Sequence, residues 1–233
     1  MVQEVRRVGV LIIGHSPRPD LAAPLQKKLS HLELIQVGAL DHLTASDLPK
    51  STITRYPLST RLRDGTVVQV EELFLEPLLQ KALDALETQE IVASIVLCAG
   101  SFCGLRGQKP LFKPFDIATG TLAALGITRI AVITPFENQK RPTEKRWRAA
   151  GFDPTAFTAQ LSEIDLIQKR CQGQTGVVLD FVGHSPNHVL RLRRKLTIPV
   201  VDLGDLAMSI LAQAVDRDSV EISGQARKNS GCG

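Results

Sequence analysis

The chain has 233 residues, 43% of them hydrophobic and 22% charged, which is ordinary for a globular protein and enough for one large α/β domain or two small ones. Aromatic residues make up only 4%, and the formal charge of +4 is spread out except for "RLRRK" at 191–195, read as a solvated helix face. That excludes a base-stacking nucleic-acid binder, which needs ring platforms and a broad basic stripe.

Only "MVQEVRR" precedes the first strand, and no apolar run reaches the roughly 18 residues of a membrane span. The expectation is a cytoplasmic protein with free thiols and no membrane contact.

Short β-rich runs alternate with amphipathic segments of helical length. The first strand, "VGVLII" (8–13), leads through Gly14-His15-Ser16-Pro17 into a helix over 18–30. A strand follows at 32–38. Segment 51–70 breaks the rhythm, and its "RDGT" between β-prone runs reads as a hairpin. A helix over 70–87 precedes a strand at 94–98, which ends on Cys98 and opens into "AGSFCG". Next come a helix at 112–125, a strand at 129–134 ending in "TPFENQ", a helix at 138–150, a strand at 155–161 and a helix at 162–171. The strand at 176–181 leads into a second copy of the first tetrapeptide, Gly183-His184-Ser185-Pro186, and a helix over 186–195. A strand at 198–202 and a helix at 204–216 end the pattern. The tail "SGQARKNSGCG", with Cys232, reads as disordered.

Continuous apolar strands alternating with helices mean parallel sheets covered on both faces. The pattern restarts midway. "RRVGVLIIGHSP" and "ASIVLCAGSFCG" in one half answer "ITRIAVITPFEN" and "TGVVLDFVGHSP" in the other. The expected fold is α/β: two pseudosymmetric parallel-sheet, three-layer (α/β/α) halves enclosing a cleft. One half is 1–112 plus a returning 204–233, and the other is 113–203. Aligning Gly100 with Gly183 sets Cys98 over Phe181 and Leu97 over Asp180, and aligning the opening strands sets Gly14 near Thr134.

Ligands of open parallel sheets bind beyond the strands' carboxyl ends. Four loops leave such ends, and the twin tetrapeptides occupy two of them. In each, Gly permits a close turn, Ser suits an N-cap and Pro suits the first helical position, so free N–H groups would face an anion. The candidate carboxylate-binding set is Gly14, His15, Ser16, Arg18, Gly100, Ser101, Phe102, Thr134, Asn138, Gln139, Gly183 and Ser185. Cys98, at a strand end near backbone N–H groups, is the candidate for proton transfer, with a lowered pKa expected. His184 is a candidate acid or base, and Asp180 would orient a histidine or meet a substrate ammonium. His184 and His188 have an i, i+4 spacing, but there is no "HExxH" and no third ligand, so no metal site is assigned. No dinucleotide or P-loop motif occurs, and no cofactor is expected.

"LIIGHSPRPDL" (11–21), with "CAGSF", "VVLDFVGHSP" and "IPVVD", resembles the AroM family over roughly 1–215. That family is similar to the aspartate/glutamate/hydantoin racemase superfamily, and "ENQKRPTEKRWRAAGF" resembles a helix in the second half of such racemases. The resemblance implies a cleft in which a Cys from each half faces one substrate carbon while loop N–H groups hold the carboxylate. Cys98 matches the first-half cysteine, but the second falls on Phe181, which rules against a two-thiol racemase and leaves one-thiol chemistry such as decarboxylation or isomerisation. The implied partner is a small-molecule carboxylate, with a homodimer compatible. The alternative is a carboxylate-binding protein without turnover.

Overall fold

β1 (Arg7–Ile12), β2 (Glu33–Gly38), β5 (Ile91–Val96) and β6 (Leu111–Phe112) form one parallel sheet in the order β2-β1-β5-β6. β7 (Arg129–Thr134), β8 (Asp153–Thr158), β9 (Gly176–Leu179) and β10 (Val200–Asp202) form a second, in the order β10-β9-β7-β8. The second order is the first one repeated, strand for strand. This computed structural model describes residues 6–49 and 56–216, so the tail with Cys232, and residues 51–55 of the hairpin segment, lie outside the described residues.

The helices are α1 (Pro19–Lys28), α2 (Glu72–Glu87), α3 (Pro114–Ala124), α4 (Lys140–Ala149), α5 (Ile164–Arg170), α6 (Pro186–Lys195) and α7 (Leu203–Val215). β1 shows why the strands are apolar throughout. Leu11 and Ile13 face Leu75, Leu79 and Leu83 of α2, while Val8, Val10 and Ile12 face Leu25 of α1 and Ala207 and Leu211 of α7. Period-2 side chains thus enter two different cores. On the second sheet, Ile130 and Val132 meet Phe115 and Leu122 of α3 and Trp147 of α4, while Ala131 and Ile133 meet Ile167 of α5 and Leu192 of α6. No helix among the described residues is long and apolar enough to cross a membrane.

The interruption is an antiparallel hairpin, β3 (Pro57–Arg61) and β4 (Val67–Glu71). Its turn closes through the Leu62 N–H to Thr66 carbonyl bond, with Gly65 at φ +90°, a value that suits glycine. β4 takes the residues up to Glu71, so α2 starts at Glu72 rather than 70. The helix expected from 112 is preceded by the two-residue strand β6, and 138–139 belong to a 3-10 turn, Glu137–Gln139, ahead of α4.

The first tetrapeptide does not start a helix. The Ser16–Pro17 peptide is cis and α1 begins at Pro19, with Arg18 in the cap position. The second copy does: Ser185 is the N-cap of α6 and Pro186 its first residue.

Strand pairing fixes the internal equivalence. Leu11 pairs with Val96 and the Leu97 N–H donates to the Leu11 carbonyl; Ile133 pairs with Leu179 and the Asp180 N–H donates to the Ile133 carbonyl. Leu97 therefore corresponds to Asp180, and Cys98 to Phe181, as the sequence alignment has it. The same pairing sets Ile12, not Gly14, opposite Thr134, a slip of two residues in the opening strands.

Candidate functional site

Residues just past the carboxyl ends of β1, β5, β7 and β9 meet under the hairpin around a cavity of about 240 Å³. Ile13, Leu97, Cys98, Pro135, Phe136, Asp180, Phe181 and Val182 come from the strand ends, Arg18 and Leu21 from the start of α1, and Tyr56, Leu58, Ser59, Thr60, Arg61 and Val67 from the hairpin. The hairpin is an addition to the repeat, and it roofs the gap between the sheets. Of the residues singled out in the sequence, Cys98, Asp180, Arg18 and Gln139 reach this wall.

Cys98 is only 7% exposed, with its sulfur 3.4 Å from the donating Gly100 N–H. Contrary to the lowered value expected, burial pushes the thiol up to about 12; the Gly100 N–H and the Arg146 charge oppose this without overcoming it. The group is a thiol, not a thiolate, at neutral pH. Phe181, its counterpart in the other half, also lines the cavity and has no proton to exchange.

Asp180 does not meet the cavity as a free carboxylate. Both its oxygens accept from one Arg146 nitrogen, at 2.7 and 2.6 Å, and its side chain is fully buried. Tyr56 and Thr143 hydroxyls lie 3.4 and 3.3 Å from it. Arg146 donates its other terminal nitrogen to the Ala99 carbonyl at 2.6 Å and is sandwiched by the Tyr56 and Phe115 rings, each 4.4 Å away. One guanidinium thus ties α4, the end of β9 and the loop after Cys98 together, and Asp180 is the counter-ion of that tie. Burial pushes the Asp180 carboxyl up while Arg146 pulls it down; Asp180 in turn raises Arg146 despite burial.

The loop amides expected to hold a substrate carboxylate are taken by the protein's own carboxylates. The Ser16 N–H and hydroxyl both donate to Asp41, at 2.7 and 2.6 Å, and so does the Gly38 N–H at 2.8 Å. The Ser101 and Phe102 N–H groups and the Ser101 hydroxyl donate to Glu72. Farther along this loop, Gly104 N–H donates to Glu76, Arg106 N–H to Gln80 and Lys109 N–H to Glu87. Glu72, Glu76 and Gln80 recur every four residues, so one face of α2 binds the backbone of a loop that stands where the second half has α6. Phe102 is fully buried in the core at φ +41°, and Gly100 is packed against it.

The remaining candidates secure the hairpin or lie elsewhere. Gly14 passes so close to Thr60 and the Arg61 carbonyl that a side chain has no room. His15 accepts from the Arg63 N–H at Nδ1, which fixes Nε2 as the donor to the Leu43 carbonyl, 2.9 Å away. Gln139 donates to the Pro57 carbonyl at 2.6 Å and Asn138 to Gln69 at 3.1 Å. Thr134 is buried, with its hydroxyl 3.3 Å from the Phe136 carbonyl.

Gly183 and His184 line a different, smaller cavity of about 90 Å³ with Asp202 and Asp205, while Ser185 stays exposed at the start of α6. The His184 Nε2 has no partner, its ring meets Phe181 edge-on at 5.5 Å, and burial pulls its pKa down to about 4. The twin tetrapeptides therefore do not open onto one gap.

Sequence reasoning missed Arg146, Tyr56, Ser59 and Arg61. Ser59 Oγ is buried without a partner. Arg61 is exposed and makes no ion pair among the described residues, whereas Arg18 is paired in two contacts with Asp20 at 2.8 and 2.7 Å. The signal for Arg146 was its place beside Trp147, the only Trp, in an otherwise charged helix. Among the described residues, no group of three or more His, Cys, Asp or Glu could hold a metal ion.

A family model described as AroM protein matches residues 8–216. No curated protein matches the chain. Solved structures do. A glycine-to-cysteine mutant of arylmalonate decarboxylase in its sulfate-ion-associated form is 13% identical, covers 90% of this chain and 94% of its own, and has a TM-score of 0.64. The maleate isomerase Iso from Pseudomonas putida S16 is 13% identical over 91% and 94%, at 0.61. An aspartate racemase homologue from Pyrococcus horikoshii OT3 is 12% identical over 90% and 99%, at 0.54. At such identities the likeness is one of fold.

Proposed function

The chain belongs to the AroM family, and from that premise we propose that it is a cofactor-independent enzyme acting on a small carboxylate, with the Cys98 thiol donating a proton to the carbon beside the carboxylate. The observation that carries this reading is a thiol held protonated, near 12, in the wall of a ligand-sized cavity at the strand ends. The names of the similar structures, a decarboxylase of arylmalonates, an isomerase of maleate and an aspartate racemase homologue, all concern small carboxylates and support it.

The chemistry follows from the protonation state. A neutral, buried thiol is a poor nucleophile and a poor base, but it is an ample acid toward a carbanion. When a bond to the carbon beside a carboxylate breaks heterolytically, as in loss of carbon dioxide from a malonate, the electron pair spreads into the retained carboxylate. The S–H bond then breaks, a C–H bond forms, and the thiolate left behind is reprotonated by water. The Gly100 N–H and the Arg146 charge lessen the cost of that transient thiolate. Arg61 is the cation available to the carboxylate, with the Asp20-paired Arg18 beside it, in place of the occupied loop amides. Phe181 makes the transfer one-sided.

In heavy water the wild-type protein is expected to place one deuterium on one face of the substrate carbon, read by NMR across a panel of substituted malonates and carboxylates. Cys98→Ala is expected to lower that rate by at least about 100-fold, the usual worth of a positioned proton donor. Full activity in Cys98→Ala would remove the thiol from the mechanism.

One observation favours a second reading, a carboxylate-binding protein without turnover: Asp41 and Glu72 satisfy the amides that would otherwise assist catalysis. A ligand-dependent rise in melting temperature with no deuterium incorporation for any ligand on the panel would favour it.

A further inference from the structure

We infer that the ligand of this cleft combines a carboxylate with an apolar, ring-sized substituent and carries no ammonium group on the carbon between them. This rests on the proposed function for the site, though not for turnover.

The anions of the site are all committed elsewhere. Among the described residues Asp180 is the only carboxylate lining the cavity; it is fully buried and bound by Arg146 through both oxygens. Glu72 is turned to the Ser101 and Phe102 amides, and Asp20 to Arg18. An amino acid would bring its ammonium into this cavity with no carboxylate to meet it, and an unpaired buried charge is strongly disfavoured.

The cations are in excess. Arg18 and Arg61 line the cavity with a single carboxylate, Asp20, beside them, and Arg61 has no ion-pair partner among the described residues. Arg61 is the second pointer: an exposed guanidinium in the cavity wall with no ion-pair partner among the described residues, free to meet a ligand carboxylate.

The rest of the wall is apolar and includes the Tyr56, Phe136 and Phe181 rings. Its volume of about 240 Å³ falls below the roughly 300 Å³ at which drug-sized pockets begin, yet exceeds the roughly 150 Å³ that holds benzene. A ring and one carboxylate fit.

The test is calorimetry on Cys98→Ala, in which turnover cannot interfere, with two probes of equal shape. 2-Phenylpropionate carries a methyl group where phenylglycine carries an ammonium. 2-Phenylpropionate is expected to bind at least about tenfold more tightly, and Arg61→Gln to weaken it by roughly fivefold or more without changing the melting temperature of the free protein. Equal or reversed affinities, or no binding of either probe at millimolar concentration, would overturn the inference. If discrimination survives while wild type shows no deuterium transfer, only the enzymatic reading fails; if transfer is found on amino acids, only this inference does.

Discussion

Arg146 and Asp180 meet with both charges out of water, so either one left alone is worse off than neither. Arg146→Met or Asp180→Asn should each cost about 3–5 kcal/mol in urea denaturation, and the double change Arg146→Met/Asp180→Leu should recover most of it. A single-change loss under about 1 kcal/mol would contradict the buried pair. His184 gives a pH signature. Its folded pKa is depressed to about 4 from 6.5 by burial, so the unfolded chain accepts a proton that the native state refuses. The stability this provides is complete above about pH 6.5 and is lost as pH falls toward 4. His184→Leu should remove roughly 3 kcal/mol of that acid sensitivity, read from stability against pH. At this scale the place of Cys98 and Asp180 at the cavity wall was legible because each lies just past a strand end, but the tie of Asp180 to Arg146 was not. The fate of the loop amides was not, because their carboxylates come from 25 and 29 residues away and nothing in a local pattern says which acid folds back. Arg146 was not singled out, being one of several basic residues in α4.

At the scale of elements, the hairpin decides the shape of the site. It lies on Gly14, is tied to the first half through His15 and Arg63, and to the second through Gln139 and Asn138. A Cβ at position 14 would sit 2.6 Å from the Arg61 carbonyl, a backbone atom that cannot turn aside. Gly14→Ala should therefore destabilise the fold by roughly 1–3 kcal/mol and speed hydrogen exchange in β3 ahead of β1. An unchanged urea midpoint would contradict this. The hairpin was readable from "RDGT", since turn chemistry is local. β6 was not, because two residues carry no period. The Ser-Pro helix start held in position for α6, though the Ser185 side chain makes no capping hydrogen bond, and failed for α1, where Asp41 takes the serine.

At the scale of the molecule, two sheets of repeated order bring four strand ends together, and the repeat was legible because both halves restate one strand-loop-helix pattern. α3 leaves the first sheet to pack on the second, and α7 leaves the second to pack on the first, so each sheet has one face covered by a helix that follows the other. What the repeat could not convey is how the halves differ: a hairpin and an acid-lined loop in one, an extra helix and a phenylalanine for the thiol in the other. Those differences leave a protonated sulfur in a largely apolar cleft that Arg18 and Arg61 line. The most direct test is the rate of Cys98 alkylation by iodoacetamide against pH, resolved by mass spectrometry from Cys103, Cys171 and Cys232. The account predicts slow reaction at neutral pH, a rise without plateau to about pH 11, and protection by 2-phenylpropionate. A plateau between about pH 7 and 9, or a rate indifferent to that ligand, would contradict it.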